Sequence, residues 1–389
     1  MLKHFGCRYS AWLPLLVLLL TTPPGAQADD SDLWSEACAK VDAGDLTGGA
    51  SLFTRLLTDF PSSPKAPGAQ LKLAYIKMKT SPDSVAEQLS AFSLVRSKYS
   101  SSPEAGIALA RIGFLHSKND TAQAIESFSA FLNDYLGHPL APSVQRTLGS
   151  LYLRSLDLDK AEAAFNAVKS IPDAPRGVVE EANMQSGFVK LMKYYASRDK
   201  SNLTSAISMF GGLSSAADAK VRAKSELGTA EALLLLGKGA AAHEKYKAAT
   251  QKYSDQPYFK GLALYGAAIC SKDMQNAELA VIEFSAFLDG QAGSTLAEKD
   301  AAWRAICLAS LGSYIQVTVQ RNGTLDEIPA NGIVPKAAYL KGECLYMAGE
   351  YSEAQKQLSA VVSAFPGTEL AESAKNAVAR CRMAIGGVQ

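Results

Sequence analysis

The chain has 389 residues, of which 48% belong to the hydrophobic set and 20% are charged. A chain of this length and apolar content can bury a sizeable core, either in two or three domains or in one extended array. Lysine and arginine number 39 and aspartate and glutamate number 38. This balance excludes the clustered basic excess that is typical of nucleic-acid binding.

The first 28 residues have the three parts of a secretory signal. Lys3 and Arg8 give a basic start, residues 11–20 are an apolar run, and small residues follow at 26–28. Because the run is shorter than a membrane span, we expect residues 1–28 to be a signal peptide that is cleaved after Ala28. An uncleaved membrane anchor remains the alternative. The mature chain is then secreted across the inner membrane, into the periplasm or the extracellular space.

Small residues recur through the rest of the chain with a period of about 37, which is in the range of helical repeats. The recurring alanines are Ala50, Ala86, Ala124, Ala161, Ala206, Ala242, Ala280 and Ala354. The cysteines at positions 270, 307, 344 and 381 are each 37 residues apart. One member of the alanine series is missing near Val317.

Residues 143–172 illustrate the order within one unit. A first helix contains Gly149, a turn follows near Asp157, a second helix contains Ala161 and Phe165, and Pro172 closes the unit. Apolar residues at helical spacing predict one buried stripe on each helix. Small residues at the points of close approach allow the two helices to pack tightly. One pair cannot bury both of its faces, so we expect neighbouring pairs to stack.

The motif Leu148-Gly149-x2-Tyr152, followed by Ala161-x3-Phe165, resembles the tetratricopeptide repeat family. The resemblance implies an all-α, right-handed superhelical solenoid of about nine helix-turn-helix repeats over residues 29–389. It also implies that the first helices line a groove that holds a protein or peptide partner. The loops at 60–66 and 365–371 are similar to those of periplasmic members, namely outer-membrane assembly lipoproteins and the Tol-Pal-associated cell-division coordinator.

In this family the groove-facing positions fall six and three residues before the repeat glycine, and one and four residues after it. Carried onto this sequence, they give partner-binding candidates at Ser143, Arg146, Ser150, Met184, Phe188, Arg222, Ser225, Tyr339, Glu343 and Tyr346. Aromatic residues are favoured anchors at interfaces, which draws attention to Phe188, Tyr339 and Tyr346. The alternative for each position is packing against a neighbouring unit.

Two stretches break the period. The first, near residues 193–201, predicts either a longer first helix or a longer turn. The second covers residues 313–335, where the alternation at 314–320 followed by Asn322-Gly323 is typical of a strand and a turn. The alternative there is a helix that stacking imposes against local propensity. Both breaks are places where we expect the array to acquire specificity.

Residues for catalysis or metal binding are sparse. His116, His138 and His243 are isolated, and the chain has no His-x3-His or Cys-x2-Cys pair, phosphate-binding loop or G-x-S-x-G elbow. We therefore predict no enzyme activity, no metal and no cofactor. The cysteines are expected to be mostly buried thiols, and Cys344–Cys381 is the most plausible disulfide if one forms.

These features predict a non-enzymatic protein-binding scaffold of the bacterial cell envelope. The alternative function is a structural or polysaccharide- or peptidoglycan-associated spacer in cell-wall assembly or export. Trp34 and Trp303 lie in core-like helical phase, which is unfavourable for sugar platforms. No nucleic-acid partner is expected, and membrane association would arise through partners or through an uncleaved signal.

Overall fold

A computed structural model describes residues 29–291 and 333–387, and all regular structure within these ranges is helical. We number the described helices α1 to α17 in chain order. The predicted signal peptide, Cys307, Trp303, the missing alanine position near residue 317 and most of the 313–335 stretch lie outside the described residues.

The chain divides after Val144 into two compact units. The first unit contains six complete helices and the start of a seventh, which crosses the boundary. These helices are α1 Asp30–Asp42, α2 Leu46–Asp59, α3 Ala66–Thr80, α4 Val85–Lys98, α5 Pro103–His116, α6 Thr121–Asp134 and α7 Ala141–Arg154. Within this unit, each helix from α1 to α5 packs against the next one along the chain.

The second unit continues the same pattern. Its helices are α8 Leu158–Val168, α9 Arg176–Ser197, α10 Ser201–Gly211, α11 Ala219–Leu235, α12 Gly239–Lys252, α13 Pro257–Asp273, α14 Ala277–Gln291, α15 Ile333–Met347, α16 Tyr351–Ala364 and α17 Glu369–Gly387. From α8 onward, each described helix packs against the next one, and α14 packs directly against α15. The described helices thus make eight successive pairs followed by α17, which confirms the predicted all-α repeat architecture.

Short turns between paired helices follow a shared design. Gly44, Gly237 and Gly349 have φ of 89°, 80° and 83° and each precedes a second helix. Positive φ is favourable for glycine because no Cβ meets the following carbonyl. The Asp45 and Asp157 side chains then accept hydrogen bonds from backbone amides of the first helical turn, which caps α2 and α8.

Glycines in the first helices meet large side chains of the second helices. A methyl group on Gly149 would lie 2.6 Å from the Phe165 ring. The Phe210 ring of α10 is enclosed from two sides. A methyl group on Gly187 of α9 would lie 2.5 Å from this ring, and a methyl group on Gly228 of α11 would lie 2.6 Å from it. The prediction that small residues allow the paired helices to pack closely is therefore confirmed. Phe210 also joins the pair α9 and α10 to the first helix of the next pair, α11.

The break near residues 193–201 proves to be an extended first helix. Helix α9 has 22 residues and ends at Ser197, and Arg198 follows in the left-handed conformation with φ of 59°. Helix α10 begins at Ser201, so the linking turn remains short. Of the two structures that the sequence leaves open, the longer helix is the one formed, and Tyr194 and Tyr195 lie in its last turn.

Cysteines of the second unit are packed in the core. Cys270, Cys344 and Cys381 are each wholly buried and are free thiols, so the expected packing as small apolar side chains is confirmed and no Cys344–Cys381 disulfide is present. Burial raises the pKa of the Cys344 thiol to about 11. The thiolate is the reactive form of cysteine, and little of it exists near neutral pH at such a pKa.

We expect Cys344 to react with iodoacetamide at least tenfold more slowly in the native protein than in the urea-unfolded protein at mildly alkaline pH. The reason is that the native thiol is both shielded and poorly ionised. Peptide mass spectrometry after timed labelling measures the rate. Equal rates in the two states would contradict the buried placement. A cysteine-linked peptide pair that is lighter by two hydrogen atoms in the unreduced sample would contradict the free thiol.

Candidate functional site

First helices contact one another along each unit. In the first unit α3 contacts α5, and in the second unit α9 contacts α11, α11 contacts α13, and α15 contacts α17. Within each unit the odd-numbered helices therefore form a shared face, which we call the first-helix face, while the even-numbered helices pack behind it. A partner that runs along this face meets side chains from several repeats at once.

Polar contacts cross the first-helix face between repeats. Each joins two residues about one repeat apart in the chain, a spacing typical of repeat arrays. The contacts are Arg111 Nε to Tyr75 Oη at 3.0 Å, Gln185 Nε2 to Ser150 Oγ at 3.1 Å, Tyr195 Oη to Glu231 Oε1 at 3.0 Å, and Arg380 Nη2 to Glu343 Oε1 at 2.7 Å. They hold neighbouring first helices in a fixed register.

Predicted partner-binding residues fall into two groups. Half-buried side chains, which remain open to a partner, belong to Ser143, Arg146, Ser150, Arg222, Tyr339, Glu343 and Tyr346. Met184, Phe188 and Ser225 are buried instead. The Phe188 ring lies 4.9 Å from the Phe210 ring, centroid to centroid, so this aromatic packs in the core. A partner-binding role for the half-buried group stays a prediction.

Several half-buried candidates already have partners within the chain. Arg146 Nε lies 3.2 Å from a carboxylate oxygen of Glu181. The Arg380 guanidinium binds Glu343 and also lies 5.5 Å from the centroid of the Tyr346 ring. These contacts link repeats, so a partner that binds these side chains would compete with them.

A cavity of about 330 Å³ opens at the C-terminal ends of α9, α11 and α13. Tyr195 comes from α9, Glu231 and Leu234 come from α11, and Ile269 and Asp273 come from α13. Its volume is at the lower end of ligand pockets, which span roughly 300–1,000 Å³. The cavity thus suits a small group or one side chain of a partner.

Glu231 is the buried acid among the residues that line this cavity. It is 4% exposed, and its two carboxylate oxygens accept hydrogen bonds from Tyr195 Oη and Tyr246 Oη, both at 3.0 Å. Burial raises the pKa of the Glu231 carboxyl, the two tyrosine hydrogen bonds oppose that rise, and Asp273 adds to it. The described residues place no lysine, arginine or histidine in an ion pair with it.

This cavity was not anticipated from the sequence. Glu231 lies three residues after Gly228, outside the positions that the family pattern assigns to the groove. A signal was nevertheless present, because Glu231 is the single charge in the apolar run 230–236. Tyr195 lies in the irregular 193–201 stretch, so the first break does contribute a wall of the cavity.

We expect Glu231→Gln to become more stable relative to the wild type as the pH rises from about 4 to about 8. The folded pKa lies above the unfolded value of 4.5. Stability from this group is therefore fully present below the unfolded pKa and is lost as the pH rises through the folded pKa. Glutamine has no charge to bury. Urea unfolding of both proteins at a series of pH values measures the difference, and a pH-independent difference would refute the raised pKa.

Among the described residues, His243, Glu283 and Ser271 come nearest to the arrangement of a catalytic triad. His243 Nε2 lies 2.7 Å from Glu283 Oε1, and Ser271 Oγ donates to Glu283 Oε2 at 2.6 Å. A nucleophilic serine needs the histidine as its base. Here the carboxylate lies between the two, and Ser271 is wholly buried. The trio therefore crosslinks α12, α13 and α14 as a structural network.

Within residues 29–291 and 333–387, no three histidine, cysteine, aspartate or glutamate side chains gather closely enough to hold a metal ion. In the same part of the chain, none of the helices combines the length and apolar character that crossing a bilayer requires.

Comparison with known families matches two stretches to tetratricopeptide repeat models. One match covers residues 117–175 and the other covers residues 336–368. The first includes the motif around Gly149 and Phe165, and the second includes the pair α15 and α16. No curated protein matches the sequence.

Solved structures with similar folds include a STAND signal-transduction ATPase with a tetratricopeptide repeat sensor, from Pyrococcus horikoshii. It is 12% identical, with a TM-score of 0.51 over 87% of this chain and 50% of that chain. A tetratricopeptide repeat protein from Parabacteroides merdae is 15% identical, with a TM-score of 0.42 over 72% and 98% of the two chains. Apo RapI is 12% identical, with a TM-score of 0.46 over 92% and 98%.

At these identities the likeness to the STAND protein is one of fold alone. It agrees with the two family matches and with the glycine-aromatic contacts that recur between paired helices. The family matches thus identify tetratricopeptide-like repeats at residues 117–175 and 336–368, and the fold agrees with them.

Proposed function

We propose that this protein is a non-enzymatic scaffold that holds a protein or peptide partner along the first-helix face of its second unit. Tetratricopeptide repeats typically bind protein partners. The observation that carries the proposal here is the cavity between α9, α11 and α13, which opens on the face that the first helices share. A partner that inserts one side chain there would also reach the half-buried Tyr339 and Tyr346 of α15.

A photo-crosslinking experiment tests the proposal. The crosslinking amino acid benzoylphenylalanine replaces Tyr339 or Tyr346 on the first-helix face, outside the cavity lining, and matched proteins carry it at Lys247 or Ile282 on second helices. Ile282 is 63% exposed, so a crosslinker there has free access to solvent. After irradiation in an extract of the source cells, we expect the same adduct from both first-helix positions and none from the second-helix positions.

The test compares the adduct yield from the first-helix face with the adduct yield from the second helices. Adducts of equal yield from α12, α14 and the first helices would indicate nonspecific contact and contradict the proposed face. Adducts from the second helices alone would place the partner on the opposite side of the repeats. In either case the scaffold would not work through the first-helix face.

We further propose that the chain works in the bacterial cell envelope after export. The support is the basic start, apolar run and small residues of positions 1–28, which are the parts of a cleaved secretory signal. After expression of the full chain in a bacterial host, we expect N-terminal sequencing to find Asp29 as the first residue. An Ala28→Arg variant is expected to remain unprocessed, and a wild-type chain that keeps residues 1–28 would contradict cleavage.

A further inference from the structure

Three features meet at the cavity between α9, α11 and α13. Its lining combines the buried Glu231, the apolar Leu234, Leu235 and Ile269, and the exposed Asp273. A buried acid among apolar side chains is a combination that a long side chain with a charged tip would match. Such side chains bury their methylene stems while the charged end finds polar partners.

Glu231 has hydrogen bonds, but residues 29–291 and 333–387 supply it with no counter-charge. Its partners, the Tyr195 and Tyr246 hydroxyls, are neutral donors. An ionised carboxylate offers about four lone-pair sites, so each oxygen can accept a further hydrogen bond. Burying an ionised carboxylate without a cation is costly, and a cation that enters the cavity offsets that cost.

Cations near the cavity have other partners. Arg198 lies 5.8 and 5.9 Å from the ring centroids of Tyr194 and Tyr195. Lys272 Nζ lies 3.5 Å from Asp273 Oδ1, so the exposed acid of the lining is already compensated, whereas the described residues place no cation beside the buried one. The uncompensated charge is therefore on the buried acid, which a side chain that enters the cavity would meet with its tip.

We infer that this cavity is a binding site for a lysine side chain of a polypeptide partner, with its ammonium group on Glu231 and its methylene stem against Leu234, Leu235 and Ile269. The inference rests on the proposed scaffold function and adds the chemistry of one recognised residue. A compact ammonium with three donors suits a small cavity in which the carboxylate oxygens are reached from one direction.

Calorimetric titration of the purified protein with Nα-acetyl-lysine-methylamide tests the site. We expect saturable binding that Glu231→Gln weakens at least tenfold, because the substitution removes the charge and retains the shape. Glu283→Gln is the matched control, since this carboxyl is bonded to His243 and Ser271 and does not line the cavity. Its affinity should equal that of the wild type.

Leu234→Trp provides a second variant that fills the cavity and retains Glu231, and it should also abolish binding. Circular dichroism of each variant checks that the helices persist. Equal affinity for the neutral Nε-acetyl derivative, equal affinity of Glu231→Gln, or no saturable binding at the solubility limit of the probe would overturn the inference. Binding of n-butylammonium without binding of the lysine derivative would overturn the assignment to a polypeptide.

The titration and the crosslinking separate this inference from the proposed function. If the lysine derivative fails to bind while Tyr339 and Tyr346 still crosslink to one partner, the scaffold function is supported and the lysine site is refuted. If the lysine derivative binds and no adduct forms on the first-helix face, the proposed scaffold function is refuted. The cavity then has no polypeptide partner to recognise.

Discussion

Phe210→Ala is expected to lower the free energy of unfolding by about 3–5 kcal/mol, as for other wholly buried phenylalanines. Phe210 is 2% exposed, and its ring fills the space between α9 and α11 while belonging to α10. Its removal leaves a cavity that touches two helix pairs, and the glycines on either side have no side chains with which to fill it. Urea unfolding followed by circular dichroism measures the loss.

The control for this variant is Ile282→Ala, also in the second unit. Ile282 is 63% exposed, so its truncation should change the unfolding free energy by no more than about 0.5 kcal/mol. A loss at Phe210 as small as the loss at Ile282 would mean that α10 does not pack between its neighbours in the way the structure describes.

Gly266→Ala is expected to destabilise the protein by about 1–3 kcal/mol, although alanine is the better helix former. A methyl group at this position would lie 2.4 Å from Cε1 of Tyr246. The ring cannot move freely, because it is buried and its hydroxyl donates to Glu231 at 3.0 Å. The added carbon must therefore separate α12 from α13 or break the hydrogen bond.

Gly290→Ala supplies a control of opposite sign. Gly290 lies in α14, and among the described residues no atom beyond its own stretch of helix lies within 4 Å of the place that its Cβ would occupy. Here the helix propensity of alanine acts alone and should stabilise the protein by up to about 1 kcal/mol. Thermal unfolding of the two variants compares the signs, and stabilisation by both substitutions would contradict the close contact at Gly266.

The repeats were predictable because their cause is local and recurrent. Small residues such as Gly149 and large ones such as Phe165 keep a fixed separation, and the apolar stripe follows from helical periodicity. The turn near Asp157 is likewise predictable, because aspartate is a favoured helix N-cap. The extension of α9 was predictable only in part. A break in the period shows that residues are added, but it does not show which helix or turn they lengthen.

The site was less predictable because it depends on which side of each helix the neighbours cover. The family pattern places Phe188, one residue after Gly187, on the groove, yet Phe210 packs against it and draws it into the core. Conversely, Tyr195 and Glu231 are about one repeat apart and meet only when α9 and α11 stack. Such contacts depend on side-chain direction across three helices, which no single periodicity contains.

The two-sided enclosure of Phe210 also bears on how such an array can be lengthened or rearranged. A duplicated helix pair inserted after α10 would have to present a glycine at the position of Gly228, or its first helix would collide with the ring. Removal of α11 and α12 would bring α13 forward, and Gly266 could meet Phe210 only if the register between helices were kept. The order of the repeats thus depends on matched residues at each junction, such as Phe210 and Gly228, so neighbouring repeats cannot be exchanged freely.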